Sequence, residues 1–98
     1  MWILKTLNEE PERIFRVAPG AVRTVGRATA ADFILDAALV SRVHCRLTAT
    51  ADGGLEVQDL ESTNGTSVNG VKVDSARLAA GDTLRVGRVE ILLSREVE

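Results

Sequence analysis

Apolar and polar residues alternate in short bursts along this chain, and nowhere do they recur over the length and spacing of a substantial helix. Residues 2–7 are strand-rich and close on a turn at Asn8 to Pro11. Residues 14–17 read as a second strand, stopped by Pro19 and Gly20, and residues 22–25 as a third that ends at Gly26. Residues 33–35 form a short apolar run. Val43, Cys45 and Leu47 then alternate with His44, Arg46 and Thr48, the period of two expected of a half-buried strand. Asp52, Gly53 and Gly54 make a hairpin turn, after which Leu55, Val57 and Asp59 alternate with Glu56, Gln58 and Leu60. Asn69 and Gly70, flanked by Val68 and Val71, give a second hairpin signal. A turn at Ala80, Gly81 and Asp82 leads into residues 83–86, which run to Gly87 and Arg88, and residues 89–93 are the last strand. The best helical stretch, residues 28–32, is too short to be of consequence. About ten short strands separated by turn residues predict an all-β sandwich.

A chain of 98 residues makes one domain, so residues 1–98 are expected to share one core. The apolar and charged fractions, 45% and 27%, are ordinary for a soluble globular chain. A net charge of −2 argues against general affinity for nucleic acid, although Arg23, Arg27, Arg42 and Arg46 leave room for a local basic patch. One cysteine, Cys45, excludes an intrachain disulfide and a cysteine-rich zinc site, and its apolar-patterned neighbours predict a small buried residue. No apolar run approaches the roughly 18 residues of a membrane span. The first ten residues run into charge too soon for a signal peptide, so a cytoplasmic, reducing location is expected. The opening Met suggests a natural start, and the wealth of Ala, Val and Arg suggests a bacterial, GC-rich source.

The candidate chemistry lies in the middle of the chain. Gly26-Arg27, Ser41-Arg42-Val43-His44, Ser62-Thr63-Asn64-Gly65 and Asn69-Gly70 all fall at strand ends, on loops. Arg27 is either a surface arginine or a planar fork of donors matched to phosphate oxygens. Ser41 and Thr63 are turn residues or hydroxyl donors to the same oxygens, with the Thr63 N–H an alternative donor. Asn-Gly pairs favour turns, because both residues tolerate positive φ. Ser41 and His44, with Asp59 or Asp82, invite a catalytic triad, but no nucleophile elbow or oxyanion hole accompanies them. With one histidine in the chain, His44 gives no metal site. No phosphate-binding loop of the nucleotide-binding type is present, and no cofactor is expected. The sequon at Asn64 is discounted for want of a secretory signal, and a doubled Val-Gly-Arg, at residues 25–27 and 86–88, is too short to be a repeat.

The order and spacing of Gly26-Arg27, Ser41-Arg42-Val43-His44, Asp59-Leu60, Ser62-Thr63-Asn64-Gly65-Thr66, Val68-Asn69-Gly70, Leu78, Gly81-Asp82 and Val86-Gly87 resemble the forkhead-associated (FHA) domain. The resemblance runs from about Val22 to Leu93, most of the chain. It implies an eleven-stranded β-sandwich of antiparallel and mixed sheets that binds phosphothreonine peptides through loops at one end. Carried over residue by residue, it makes Arg27, Ser41 and Thr63 the phosphate ligands. Arg42, Asn64 and Asn69 become contacts to the peptide. Gly26, His44 and Gly65 support the site, the His44 ring by hydrogen-bonding the loops that hold Ser41 and Thr63. The expected partner is a protein phosphorylated by a Ser/Thr kinase, with no nucleic acid, no membrane, no enzymatic activity and a monomeric state. The loop of residues 36–40, largely apolar, is expected to favour an apolar side chain three residues after the phosphothreonine. The alternative is an interaction module on the same fold that works without phosphate.

Overall fold

The computed structural model describes residues 1–96 and is built from eleven strands, with no helix among the described residues. They are β1 (Trp2–Thr6), β2 (Ile14–Val17), β3 (Val22–Gly26), β4 (Phe33–Ile34), β5 (Cys45–Ala49) and β6 (Leu55–Asp59). After these come β7 (Thr66–Val68), β8 (Val71–Val73), β9 (Ser75–Leu78), β10 (Thr83–Val86) and β11 (Val89–Arg95). One sheet has six strands in the order β2-β1-β11-β10-β7-β8, the other five in the order β4-β3-β5-β6-β9. The short β3–β4 pair is parallel and the other pairs are antiparallel, so the second sheet is mixed.

The core lies between the two sheets, where the alternation in the sequence places it. Leu4, Leu84, Ile91 and Leu93 from one sheet meet Val25, Leu47, Leu55 and Val57 from the other, all fully or almost fully buried. Stacked rings of Phe15 and Phe33, with centroids 4.7 Å apart, join edge strand β2 of one sheet to edge strand β4 of the other. No described helix is long and apolar enough to cross a membrane.

Two expectations change in detail. β9 reads poorly as a strand because Ser75, Ala76 and Arg77 are weak β-formers. It forms because Ala76 and Leu78 register against Val57 and Leu55. The alternation expected through Val43 also breaks at His44, which is buried beside buried Cys45, so β5 begins one residue later, at Cys45. His44 turns inward because its ring has backbone partners there.

Candidate phosphopeptide-binding site

The antiparallel pairing brings six strand ends to one end of the sandwich. β3 and β6 end there, β5, β7 and β11 begin there, and β1 ends beside the start of β11. The segment 35–44, between β4 and β5, is tied to its neighbours by main-chain bonds: Arg27 N–H to Ser41 O (2.9 Å), Ala28 N–H to Arg42 O (3.1 Å) and Leu35 N–H to Gly26 O (2.8 Å). Gly26 is needed for this approach, since a Cβ there would fall 2.1 Å from the Arg42 carbonyl oxygen. Arg27 therefore leaves the end of β3 directly beside Ser41, with its side chain exposed.

Ser41 and Thr63, 22 residues apart in sequence, are in contact. The Thr63 N–H donates to the Ser41 Oγ at 3.1 Å. Arg27 and Arg42 line a common open recess of about 280 Å3 with Ala28 and Asp36. One exposed end thus carries two guanidinium groups, a serine hydroxyl and a backbone N–H, and the residues predicted to hold phosphate are neighbours.

His44 fixes this geometry from below. It is fully buried, its Nδ1 accepts the Ser41 N–H at 3.0 Å, and its Nε2 lies 2.8 Å from the Gly65 carbonyl oxygen. An Nδ1 that accepts must be unprotonated, so the ring is the neutral tautomer with its hydrogen on Nε2, donating to Gly65. Both nitrogens are engaged by main chain, one on each loop that carries a candidate phosphate ligand.

The loop of residues 60–65 has a second support that sequence reasoning missed. The Asp59 carboxylate accepts from the Ser62 N–H (3.1 Å), the Ser62 hydroxyl (2.6 Å) and the Thr66 hydroxyl (2.7 Å). The Ser62 Oγ in turn accepts the Gly65 N–H at 3.0 Å. Burial pushes the Asp59 pKa up, but the hydrogen bonds from Ser62 and Thr66 outweigh it, and the carboxyl lies below its usual value. The signal in the sequence was an Asp at an inward position of β6, which must find donors nearby. Across the strand pair, Cys45 is buried, and its thiol is pushed up to about 12 by burial and, second, by the Asp59 charge, so it stays a neutral filler.

The two Asn-Gly pairs part company. Asn69 (φ 50°) and Gly70 (φ 84°) form the expected tight hairpin turn. That turn lies at the far end of β7 from Arg27 and Ser41. The Asn69 side chain is engaged locally, its Nδ2 on the Asp82 carboxylate (2.9 Å) and its Oδ1 accepting the Thr83 N–H (2.9 Å). The structure therefore does not bring Asn69 to the other candidate residues. Gly65 has φ 85°, but Asn64 does not share the left-handed conformation expected of the pair; the non-glycine residue of this loop that does is Glu61, at φ 55°. Asn64 is exposed and donates from Nδ2 to the Leu39 carbonyl at 3.1 Å, which leaves its Oδ1 and one N–H hydrogen without a hydrogen-bond partner among the described residues.

Leu39 has φ 72°, a costly conformation for a bulky residue, and such strain is tolerated where neighbours over-determine the backbone. Here its carbonyl is held by Asn64 and lies where a Cβ on Gly87 would come within 2.6 Å of the oxygen. The doubled Val-Gly-Arg thus has a physical basis. Its two glycines, Gly26 and Gly87, are bare backbone against which the Arg42 and Leu39 carbonyls of one loop pack.

Comparison with known proteins agrees with this geometry. The FHA domain profile matches residues 23–87. The chain is 43% identical over 76 residues to the ABC transporter ATP-binding/permease protein Rv1747 of Mycobacterium tuberculosis, covering 78% of this chain and 9% of that protein. Among solved structures it resembles the FhaA FHA domain complexed with the intracellular domain of Rv3910, with a TM-score of 0.85 and 32% identity over 95% of this chain and 99% of that one. It also resembles a domain solved in a structural and functional analysis of phosphothreonine-dependent FHA domain interactions, with a TM-score of 0.87 and 31% identity over the whole of both chains. The chain spans less than half the length of the curated relatives it matches. Profile, relatives and fold agree that the chain belongs to the forkhead-associated domain family.

Proposed function

We propose that this domain binds phosphothreonine in an extended segment of a partner protein marked by a Ser/Thr kinase, and thereby recruits that partner. The observation that carries the reading is that Arg27 is tied by its backbone to Ser41, and the Ser41 hydroxyl in turn accepts the Thr63 N–H, at one exposed end whose loops are tied together by His44. A phosphothreonine brings about −1.5 to −2 charges at neutral pH. Arg27 meets its oxygens with a fork of fixed donors, and Ser41 and Thr63 supply shorter-range hydrogen bonds. Arg42 adds charge at the rim, and the free amide atoms of Asn64 bond the peptide main chain beside it. Each charge-assisted hydrogen bond contributes about 1.5–3 kcal/mol. Ordering the peptide offsets much of this, which leaves affinity on the order of micromolar.

The domain binds and does not react. An enzyme built on Ser41 and His44 would need an imidazole nitrogen free to take the hydroxyl proton. Here Nδ1 takes the Ser41 N–H and Nε2 faces Gly65. In this reading the domain acts as a monomer in the cytoplasm.

The test is binding to a degenerate peptide library carrying phosphothreonine, phosphoserine or unmodified threonine, for wild type and Arg27→Ala. Phosphothreonine-selective binding that falls about tenfold to a hundredfold in the variant supports the reading. Binding indifferent to phosphate overturns it in favour of an interaction module that works without phosphate.

A further inference from the structure

Lys72 was not among the candidate residues, yet it lies against the site from outside the loops. It is on β8, the edge strand of the six-stranded sheet, in register with Ser67 of β7. Gly65 lies two residues before Ser67, in the loop just ahead of β7. With no side chain on Gly65, the Lys72 stem lies over it. Cε, Cδ and Nζ are 2.8, 3.4 and 3.4 Å from the point a Gly65 Cβ would take. The ammonium therefore ends beside Gly65, which closes the loop that carries Thr63 and Asn64, and Lys72 does not line the recess of Arg27, Asp36 and Arg42.

That charge has no partner among the described residues. The two ion pairs present are Lys5–Glu12 and Arg77–Asp52. Asp74, two residues on along the same face, is not within 4.0 Å of Nζ. Lys72 is exposed, so holding it here carries no burial penalty, and a hydrated point charge on a flexible stem tolerates an acid in several rotamers.

We propose that Lys72 is a specificity-determining residue that reads an Asp or Glu side chain flanking the phosphothreonine on the Asn64 side. The assignment rests on the phosphothreonine reading above and narrows it to peptides with an acidic flank. An exposed pair of this kind raises affinity about two- to fivefold, enough to rank peptides without replacing the phosphate as the main determinant.

The experiment is an oriented library with phosphothreonine fixed and the flanking positions varied, screened with wild type, Lys72→Met and Lys72→Glu. Lys72→Met keeps the apolar stem over Gly65 and removes the charge. The expected result is enrichment of Asp and Glu at one flanking position in wild type, absent in Lys72→Met and replaced by Lys and Arg in Lys72→Glu. Titration of the best acidic peptide against its Ala counterpart should show the two- to fivefold difference at low salt and its decay at high salt. Acidic enrichment that persists in Lys72→Met, or no acidic enrichment in wild type, overturns the assignment while leaving the reader intact. A wild type that binds no phosphothreonine peptide overturns both.

Discussion

Replacing His44 tests the physical account of the site most directly, because one ring supports two loops. His44→Phe keeps a planar ring of similar size and removes both polar contacts. The Ser41 N–H and the Gly65 carbonyl are then left against an apolar edge at a fully buried position. An unsatisfied buried group costs about 1–3 kcal/mol, so two of them destabilise the domain by about 2–6 kcal/mol. Small domains have about 5–15 kcal/mol in total. The loops can escape part of that penalty by shifting toward water, and the measured loss should then fall in the lower half of the range. That escape moves Ser41 and Thr63 apart, and binding suffers for it.

His44→Gln is the informative partner. Its amide offers one acceptor and one donor, as the neutral ring does, so it should recover part of both stability and affinity. The assays are urea unfolding near neutral pH and titration with a phosphothreonine peptide, on wild type and both variants. A His44→Phe protein within about 0.5 kcal/mol of wild type, binding with unchanged affinity, would show that the ring does not hold the loops. A variant that loses stability but keeps full affinity would refute only the positioning role.

Three further outcomes follow from the same geometry. Gly26→Ala and Gly87→Ala each push a methyl into a carbonyl of the loop 35–44; each should lower stability by about 1–3 kcal/mol in urea and weaken peptide binding, whereas Gly20→Ala, strained by its φ of 78° but with a Cβ that meets nothing, should leave binding unchanged. Lowering the pH should separate binding from folding. Binding weakens below about pH 6 as the phosphate gains its second proton. The lowered carboxyl of Asp59 instead contributes stability that is fully present above its unfolded value, about 3.9, and is lost as pH falls through its folded value. Asp52, held down to about 2 first by the Thr50 hydroxyl and then by Arg77, shifts in the same direction. Peptide titration and circular dichroism from pH 8 to 2 should therefore show two transitions, and a single shared one would refute the assignment. Cys45, buried with its thiol pushed up to about 12, should resist alkylation at pH 8 and react at the rate of unfolding; fast labelling of folded protein would contradict its burial.

Much of the fold was legible because its signals are local. Alternation shows within five residues, and the turns at Gly20, Gly53, Gly70 and Gly81 are glycines with positive φ. β9 was missed because its strand state depends on Leu55 and Val57, about twenty residues away, and hardly at all on its own side chains. The same distinction divides the site. Arg27, Ser41 and Thr63 could be nominated from residue chemistry and from the family's spacing. The contacts that unite them, Thr63 with Ser41, His44 with Gly65 and Asn64 with Leu39, each span more than twenty residues and have no local signature.

The two Asn-Gly pairs make that limit concrete. As dipeptides they are identical, and the turn preference of Asn-Gly applies equally to both. What separates them is the position of a carboxylate. Asp82, just before β10 on the other side of β7, ties up the Asn69 amide and leaves the backbone to make the tight turn. At Asn64 the carboxylate is Asp59, and it takes the hydroxyls of Ser62 and Thr66 instead. Ser62 and Asp59 thereby hold the loop, and the Asn64 amide is free to reach outward to Leu39 and beyond it. Exchange of Asp59 for Asn keeps the size but removes the charge and puts an NH2 group where one carboxylate oxygen accepts, so at least one of the three bonds that hold the loop is lost. Asp59→Asn should then weaken phosphopeptide binding, although residue 59 touches no ligand, while Asp82→Asn should lower stability with little effect on affinity. Equal effects on binding from the two would mean that the second Asn-Gly pair serves the peptide after all.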